Sequence, residues 1–165
     1  MQNPKSKVIV CDKQGKLIET KLRKDIDRKN DCLKTVNIFL IDQNNRIFIT
    51  MPLQSVWGGK WCSSAAGMVQ VGETSEEAAV RTAKRELGID DVSFLWESYY
   101  EFLDIKRFIS FFYSKVDSKN IKGNPEDVSE SKWVGLDDIL QLVEKDTISP
   151  TLLVGLDTIK KKLIG

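Results

Sequence analysis

The 165-residue sequence contains no histidine. Histidine is the side chain that most often acts as an acid or base near neutral pH, and it is the commonest protein ligand of zinc. Mechanisms that need an imidazole group are therefore excluded. A metal ion bound by this chain would have to be a hard cation held by oxygen atoms.

Cysteine is also scarce. The three cysteines, Cys11, Cys32 and Cys62, lie far apart along the chain and lack the spacing of a metal site. An odd number of scattered thiols favours a reduced chain in the cytoplasm over a disulfide framework.

Two further absences concern possible partners. The sequence has no apolar run of about 18 residues and no signal-peptide pattern, so we expect no membrane partner. The formal net charge is only +1, which gives no general attraction to nucleic acid. The length suits one domain with a sizeable core, and we predict a single domain over residues 1–165.

Turn signals separate short strands from a few helices. Segments 8–11 and 16–20 predict a hairpin, which with a short connecting segment makes up residues 1–30. Segments 33–41 and 46–51 flank a turn-rich tetrad and predict a second hairpin. The remaining predicted strands and helices are strands 92–102, 106–116 and 132–134, and helices from residue 74, at 137–144 and at 150–163. This order fits the α/β class, as an α/β/α sandwich around a mixed sheet.

The most informative stretch is 67–89, GMVQVGETSEEAAVRTAKRELGI, which predicts a loop, a helix and a second loop. Thr74 and Glu77 have the spacing of a capping box at the helix start, and Gly88 supplies the helix stop. The stretch resembles the Nudix box of the Nudix hydrolases, G-x5-E-x7-R-E-U-x-E-E-x-G-U, where U is a bulky aliphatic residue. The residues that carry the resemblance are Gly67, Glu73, Arg81, Glu86 and Gly88.

This resemblance implies a Nudix fold and hydrolysis of nucleoside diphosphate-linked compounds with Mg²⁺ or Mn²⁺. In the family, glutamates at the positions of 82, 85 and 86 hold the metal ions. Residues three and four apart share one helix face, so such a cluster is geometrically sound. The resemblance also implies a metal ligand from the carbonyl near Gly67 and structural roles for Glu73, Arg81 and Gly88.

Two of the three clustered glutamates are absent, since Thr82 and Arg85 occupy their positions. Only Glu86 keeps its carboxylate. At about 6 Å and an effective dielectric near 20, a guanidinium repels a divalent cation by roughly 5–6 kcal/mol before screening. We therefore predict a strongly weakened metal site, with Mg²⁺ or Mn²⁺ if the chain is active, or no metal at all.

Arg85 has three interpretations on sequence grounds. The activity has been lost and the fold serves another purpose; or the guanidinium binds a phosphate directly; or Arg85 swings aside to pair with an acid such as Glu86.

Two residues outside the box complete the predicted site. Asp127 lies where some family members place an extra ligand or general base, and Trp57 is the best candidate for stacking on a ligand.

Three functions follow from the resemblance. The first is a Nudix hydrolase of nucleoside diphosphate derivatives, weak or inactive because of the two replacements, and the alternative is a non-catalytic nucleotide- or protein-binding module. The third is isopentenyl-diphosphate isomerase, because segment 61–67 resembles the strand that leads into the box in the branch of the family similar to that enzyme. The cysteine of that enzyme and one of its metal-binding histidines fall on Ala66 and Met68, which argues against it. The sequence is compatible with a homo-oligomer and does not identify a protein partner.

Overall fold

The computed structural model describes residues 6–164, with the side chain of residue 164 left out. The predicted domain bounds include residues 1–5 and 165, which lie outside that range. The strands are β1 (Lys7–Cys11), β2 (Leu17–Leu22), β3 (Cys32–Ile41), β4 (Ile47–Pro52), β5 (Ala65–Met68), β6 (Ser93–Phe102), β7 (Ile105–Lys115) and β8 (Val128–Val134). The helices are α1 (Ser75–Leu87), α2 (Leu136–Glu144) and α3 (Pro150–Ile159). Short 3-10 turns cover Arg23–Asp25 and Ser118–Asn120, and a π turn covers Lys160–Ile164.

The strands join in one mixed sheet whose central member is β3. Strand β7 runs parallel to β3 along its whole length, whereas β1, β4 and β5 pair with it in antiparallel fashion. Strand β2 continues the sheet beyond β1, β8 beyond β4 and β6 beyond β7. Parallel neighbours need a long crossover, and helix α1 lies within the one that joins β3 to β7.

Alternating side chains of β3 face the two helical layers. Val36, Ile38 and Leu40 belong to a core with the small residues of α1, whereas Phe39 and Ile41 belong to a core with α2 and α3. The sheet is therefore covered on both faces, which is the predicted α/β/α sandwich.

The predicted second hairpin is wrong beyond its turn. Strands β3 and β4 share only the pair Ile41 and Ile47, after which β4 pairs with β8. The physical reason is competition for one strand edge, because residues 65–68 of β5 occupy the edge of β3 along residues 35–38. Strand β8 is accordingly longer than the predicted 132–134, and the last α-helix ends at Ile159 rather than at residue 163.

Within residues 6–164, no helix combines the length and the apolar character that crossing a membrane requires.

Candidate functional site

Helix α1 is fixed at both of its ends. The Thr74 hydroxyl accepts a hydrogen bond from the Glu77 amide at 3.1 Å, and the Glu77 carboxylate accepts one from the Thr74 amide at 3.2 Å. This confirms the predicted capping box. Gly88 ends the helix with a φ of 71°, a left-handed conformation that glycine adopts at little cost. The side chains of α1 are thereby held in a fixed position over the sheet.

An ion pair ties the preceding loop to this helix. Arg81 donates to the two carboxylate oxygens of Glu73 at 2.7 and 3.0 Å and to the Met68 carbonyl at 2.9 Å. Glu73 also accepts from the Gln70 amide at 2.9 Å. Both side chains are less than one-third exposed, so the pair is better shielded from water than a surface salt bridge.

Replacing Arg81 with methionine should loosen this loop. The change removes three charge-assisted hydrogen bonds and leaves Glu73 partly buried without its counterion, so we expect a loss of about 2 kcal/mol in the free energy of unfolding. Urea denaturation measures the change. The matched control is Lys84→Met on the exposed side of the same helix, and an equal loss in both variants would contradict a specific role for Arg81.

Thr82 is fully buried, and its hydroxyl oxygen has no hydrogen-bond partner within residues 6–164. It packs directly against Gly67, where a Cβ atom would lie 2.5 Å from the Thr82 Oγ1 atom. The position that carries a glutamate in the resembled motif is therefore occupied by a short, buried side chain. A side chain at position 67 would therefore force the loop and the helix apart.

Gly67→Ala should consequently destabilise the protein. The added methyl overlaps Thr82 in a packed region, and overpacking of this kind costs about 2 kcal/mol. Thermal and urea unfolding report the loss. In the double variant Gly67→Ala, Thr82→Ala the nearest atoms that remain are at ordinary contact distance, so most of the stability should return. Failure of the second change to rescue the first would show that the contact is not the cause.

Arg85 and Glu86 form an ion pair, with the Arg85 Nη2 atom 3.0 Å from the Glu86 Oε2 atom. Burial raises the pKa of Glu86 and the nearby Asp127 adds to the rise, whereas the Arg85 guanidinium lowers it; the net pKa is about 7. Asp127 itself has a buried Oδ2 atom without a hydrogen-bond partner among the described residues. The structure thus brings Glu86, Arg85 and Asp127 together, and the roles predicted for them stay predictions.

These groups do not match the three-carboxylate set of the resembled metal site. Glu86 and Asp127 are the two acids that interact here, and the carboxylate of Glu86 is already bonded to a guanidinium. Residues 6–164 contain no group of three or more histidine, cysteine, aspartate or glutamate side chains arranged to hold a metal ion. Mg²⁺ favours several oxygen ligands and no adjacent cation.

Arg23 joins the site although the sequence gives no sign of it. It follows β2 in a 3-10 turn, and its Nε and Nη2 atoms are buried without a hydrogen-bond partner among the described residues. Burial lowers the pKa of Arg23, and the charges of Arg81 and Arg85 lower it further. Pairing of β1 with the box loop, through hydrogen bonds between Ile9 and Val69 and between Val71 and Lys7, brings this segment to the helix. No local motif encodes that approach.

Trp57 lies in the loop after β4 and is half-buried. Its ring packs edge-on against Phe102 at 5.8 Å between centroids, and Phe102 stacks on Tyr100 at 5.9 Å. Stacking of Trp57 on a ligand therefore stays a prediction, made from a position where the ring already has one aromatic neighbour.

The sequence matches the model of the NUDIX domain over residues 33–152. The chain belongs to the Nudix family. Among curated relatives, a Nudix hydrolase of Deinococcus radiodurans is 28% identical over 118 residues, which cover 68% of this chain and 69% of the relative. An isopentenyl-diphosphate Delta-isomerase of Citrobacter koseri is 26% identical over 146 residues, 81% of this chain and 80% of that enzyme.

Solved structures support the Nudix fold. A crystal structure from Deinococcus radiodurans superposes with a TM-score of 0.76 at 21% identity, over 95% of this chain and 99% of that one. The NUDIX domain of Shewanella oneidensis NrtR, in complex with ADP ribose, has a TM-score of 0.65 at 15% identity, over 84% of this chain and 94% of that one. At these identities the likeness concerns the fold alone.

Proposed function

We propose that this Nudix protein binds a nucleoside diphosphate derivative beside α1 and hydrolyses it weakly or not at all. The observation that carries the proposal is the ion pair of Arg85 with Glu86 at 3.0 Å. Glu86 is the one glutamate left at the three clustered positions, and it is paired with Arg85, which occupies the position of a second glutamate of the motif. Thr82, at the third position, is buried and carries no charge.

A divalent ion would have to overcome two effects at this site. It would have to displace the guanidinium from Glu86, and it would then lie close to that fixed positive charge. Asp127 is the further acid in reach, and two carboxylates with one opposing cation leave little net negative charge. Metal-dependent hydrolysis needs the ion in place to neutralise the phosphate charge, so we expect catalysis to be slow.

The ligand class follows from the family and from the cations of the site. A relative in fold, the Shewanella oneidensis domain, was crystallised with ADP ribose, a nucleoside diphosphate derivative. In this chain Arg23, Arg81 and Arg85 lie within electrostatic reach of one another, and such a concentration of cations favours an anionic ligand.

The test is a panel of ADP ribose and other nucleoside diphosphate conjugates, with Mg²⁺ or Mn²⁺ in excess. Product release and ligand binding are measured on the same preparation of the full chain. We expect saturable binding of at least one conjugate and turnover far below about 10 s⁻¹, a usual enzymatic rate. Turnover at that rate would contradict the proposed loss of activity, and failure of every conjugate to bind would contradict the ligand class.

Isomerase activity is not proposed, although two isopentenyl-diphosphate isomerases are among the relatives. The chain has no histidine for a metal site of that enzyme. Cys62 is buried and its thiol donates to the Lys60 carbonyl at 3.5 Å, four positions before Ala66. Incubation with isopentenyl diphosphate and product analysis should give no dimethylallyl product, and its appearance at enzymatic rates would contradict this reading.

A further inference from the structure

Buried polar atoms without partners are concentrated at one place. Within residues 6–164, five buried side-chain nitrogen or oxygen atoms lack a hydrogen-bond partner, and they belong to Arg23, Thr82, Arg85 and Asp127. Three of the four residues carry a charge: Arg23 interacts electrostatically with Arg85, and both Arg85 and Asp127 interact with Glu86. Orphaned polar groups are costly in a protein interior. A cluster of them therefore indicates that a group from outside the chain completes the site.

The unpartnered donors show which acceptors that outside group must offer. The free atoms of Arg23 are Nε and Nη2, which form one side-on edge of the guanidinium fork. Arg85 uses Nη2 for Glu86, and its buried Nε atom has no hydrogen-bond partner in the part of the chain that the structure describes. At least three N–H groups on two separate guanidinium planes thus need acceptors, and the side-on edge of arginine matches a pair of anionic oxygens.

Charge leads to the same conclusion. The groups that shift the pKa of Arg23 besides burial are two further cations, Arg81 and Arg85. Arg81 is neutralised by Glu73 and Arg85 by Glu86, but the structure gives Arg23 no ion pair within residues 6–164. An open groove of about 780 Å³ runs along α1 and is lined by the cations Arg81, Lys84 and Arg85 and by the acids Glu73, Glu76 and Glu77. A ligand has room to reach Arg85 from this side, whereas Arg23 does not line the groove.

We infer that Arg23 and Arg85 bind a phosphate group of the ligand directly, through their free guanidinium N–H groups and without a divalent metal ion. A tetrahedral phosphate presents three terminal oxygens, which suits three donors from two planes, whereas a planar carboxylate presents two. The inference rests on the proposed function for the nucleoside part of the ligand. The phosphate contact can be tested by itself.

The experiment is a calorimetric titration of the full chain with inorganic pyrophosphate in EDTA at pH 7.5. The wild type is compared with Arg23→Gln, Arg85→Gln and the control Lys24→Gln, which removes one exposed cation from the same 3-10 turn. We expect saturable binding that Arg23→Gln and Arg85→Gln each weaken at least about tenfold, which corresponds to the loss of one charge-assisted contact. Lys24→Gln should change the affinity less than twofold.

Three outcomes would overturn the inference. The first is no saturable uptake of pyrophosphate in EDTA, and the second is an equal effect of all three variants, which would show a general charge effect. The third is equal affinity for malonate, a dicarboxylate, which would show that the site does not select phosphate.

Thermal unfolding of the same variants separates binding from folding. Because Arg23 has unpartnered buried donors, Arg23→Gln should leave the unfolding temperature unchanged or raise it. At the same concentration, pyrophosphate should raise the unfolding temperature of the wild type more than that of Arg23→Gln. A variant that unfolds several degrees lower would show that Arg23 is partnered in the fold, and the inference would fail.

Failure of this inference is distinguishable from failure of the proposed function. Rapid hydrolysis of a conjugate with Mg²⁺ would overturn the proposed loss of activity, whatever happens in EDTA. Slow hydrolysis combined with no binding of pyrophosphate in EDTA would overturn only the direct phosphate contact.

Discussion

The double change Thr82→Glu, Arg85→Glu should produce metal-dependent hydrolysis at least about 100-fold faster than that of the wild type, a gain of about 2.7 kcal/mol in transition-state stabilisation. The physical reason is charge. The change removes the cation that pairs with Glu86 at 3.0 Å and adds two carboxylates on the same helix face. Continuous assay of one conjugate with Mn²⁺ measures the gain.

Stability gives a second measure of the same variant. Thr82 is fully buried against Gly67, so a carboxylate placed there without a counterion should lower the unfolding temperature in EDTA. Added Mn²⁺ should restore it, because a ligand that binds only the folded state stabilises that state.

Two controls test the origin of this gain. Arg85→Gln removes the cation without adding a carboxylate, so it should gain little activity. Adding Glu86→Gln to the double variant should abolish the gain. A double variant that is folded and binds Mn²⁺ yet hydrolyses no faster than the wild type would contradict the idea that the two replacements are what limits activity.

The free energy of unfolding should fall as the pH rises from about 5 to about 7, because of Glu86. Burial, with a smaller contribution from Asp127, raises the pKa of Glu86 from 4.5 to about 7, while Arg85 acts against the rise. An acid whose folded-state pKa is raised holds its proton longer in the folded state than in the unfolded state. The folded state therefore binds more protons between these two values, and ionisation there costs stability.

Comparison with Glu86→Gln isolates this effect from the other acids of the protein. The two curves of unfolding free energy should meet near pH 4.5 and separate as the pH rises. Above pH 7 the glutamine variant should be more stable by about 3 kcal/mol, the free-energy equivalent of the pKa shift. Parallel curves over the whole range would show that Glu86 titrates normally and is not desolvated.

Much of the fold is encoded locally and is predictable for that reason. The capping box of Thr74 and Glu77 and the stop at Gly88 set both ends of α1, and each needs only residues within one turn. The hairpin of β1 and β2 likewise follows from a local turn. The pairing of β4 does not follow from local sequence, because residues 65–68 occupy the edge of β3. Competition between segments distant in sequence cannot be predicted from a local pattern.

The candidate site divides in the same way. The motif and its resemblance point to Glu86, Arg85 and Asp127, which interact with one another in the structure, and their roles stay predictions. Arg23 could not be predicted, because its place near α1 depends on how β1 lies against the box loop. The burial of Thr82 against Gly67 was also not foreseeable, since helix periodicity places the residue on a face but does not give its distance from the loop.

Calorimetric titration of the wild-type chain with Mg²⁺ at pH 8, where Glu86 is ionised, tests most directly whether the Arg85–Glu86 pair prevents the site from retaining a divalent ion. We predict no saturable heat of binding below the millimolar range, and no change in the titration when Glu86 is replaced by glutamine. One-to-one binding of Mg²⁺ in the micromolar range that disappears in Glu86→Gln would contradict the account.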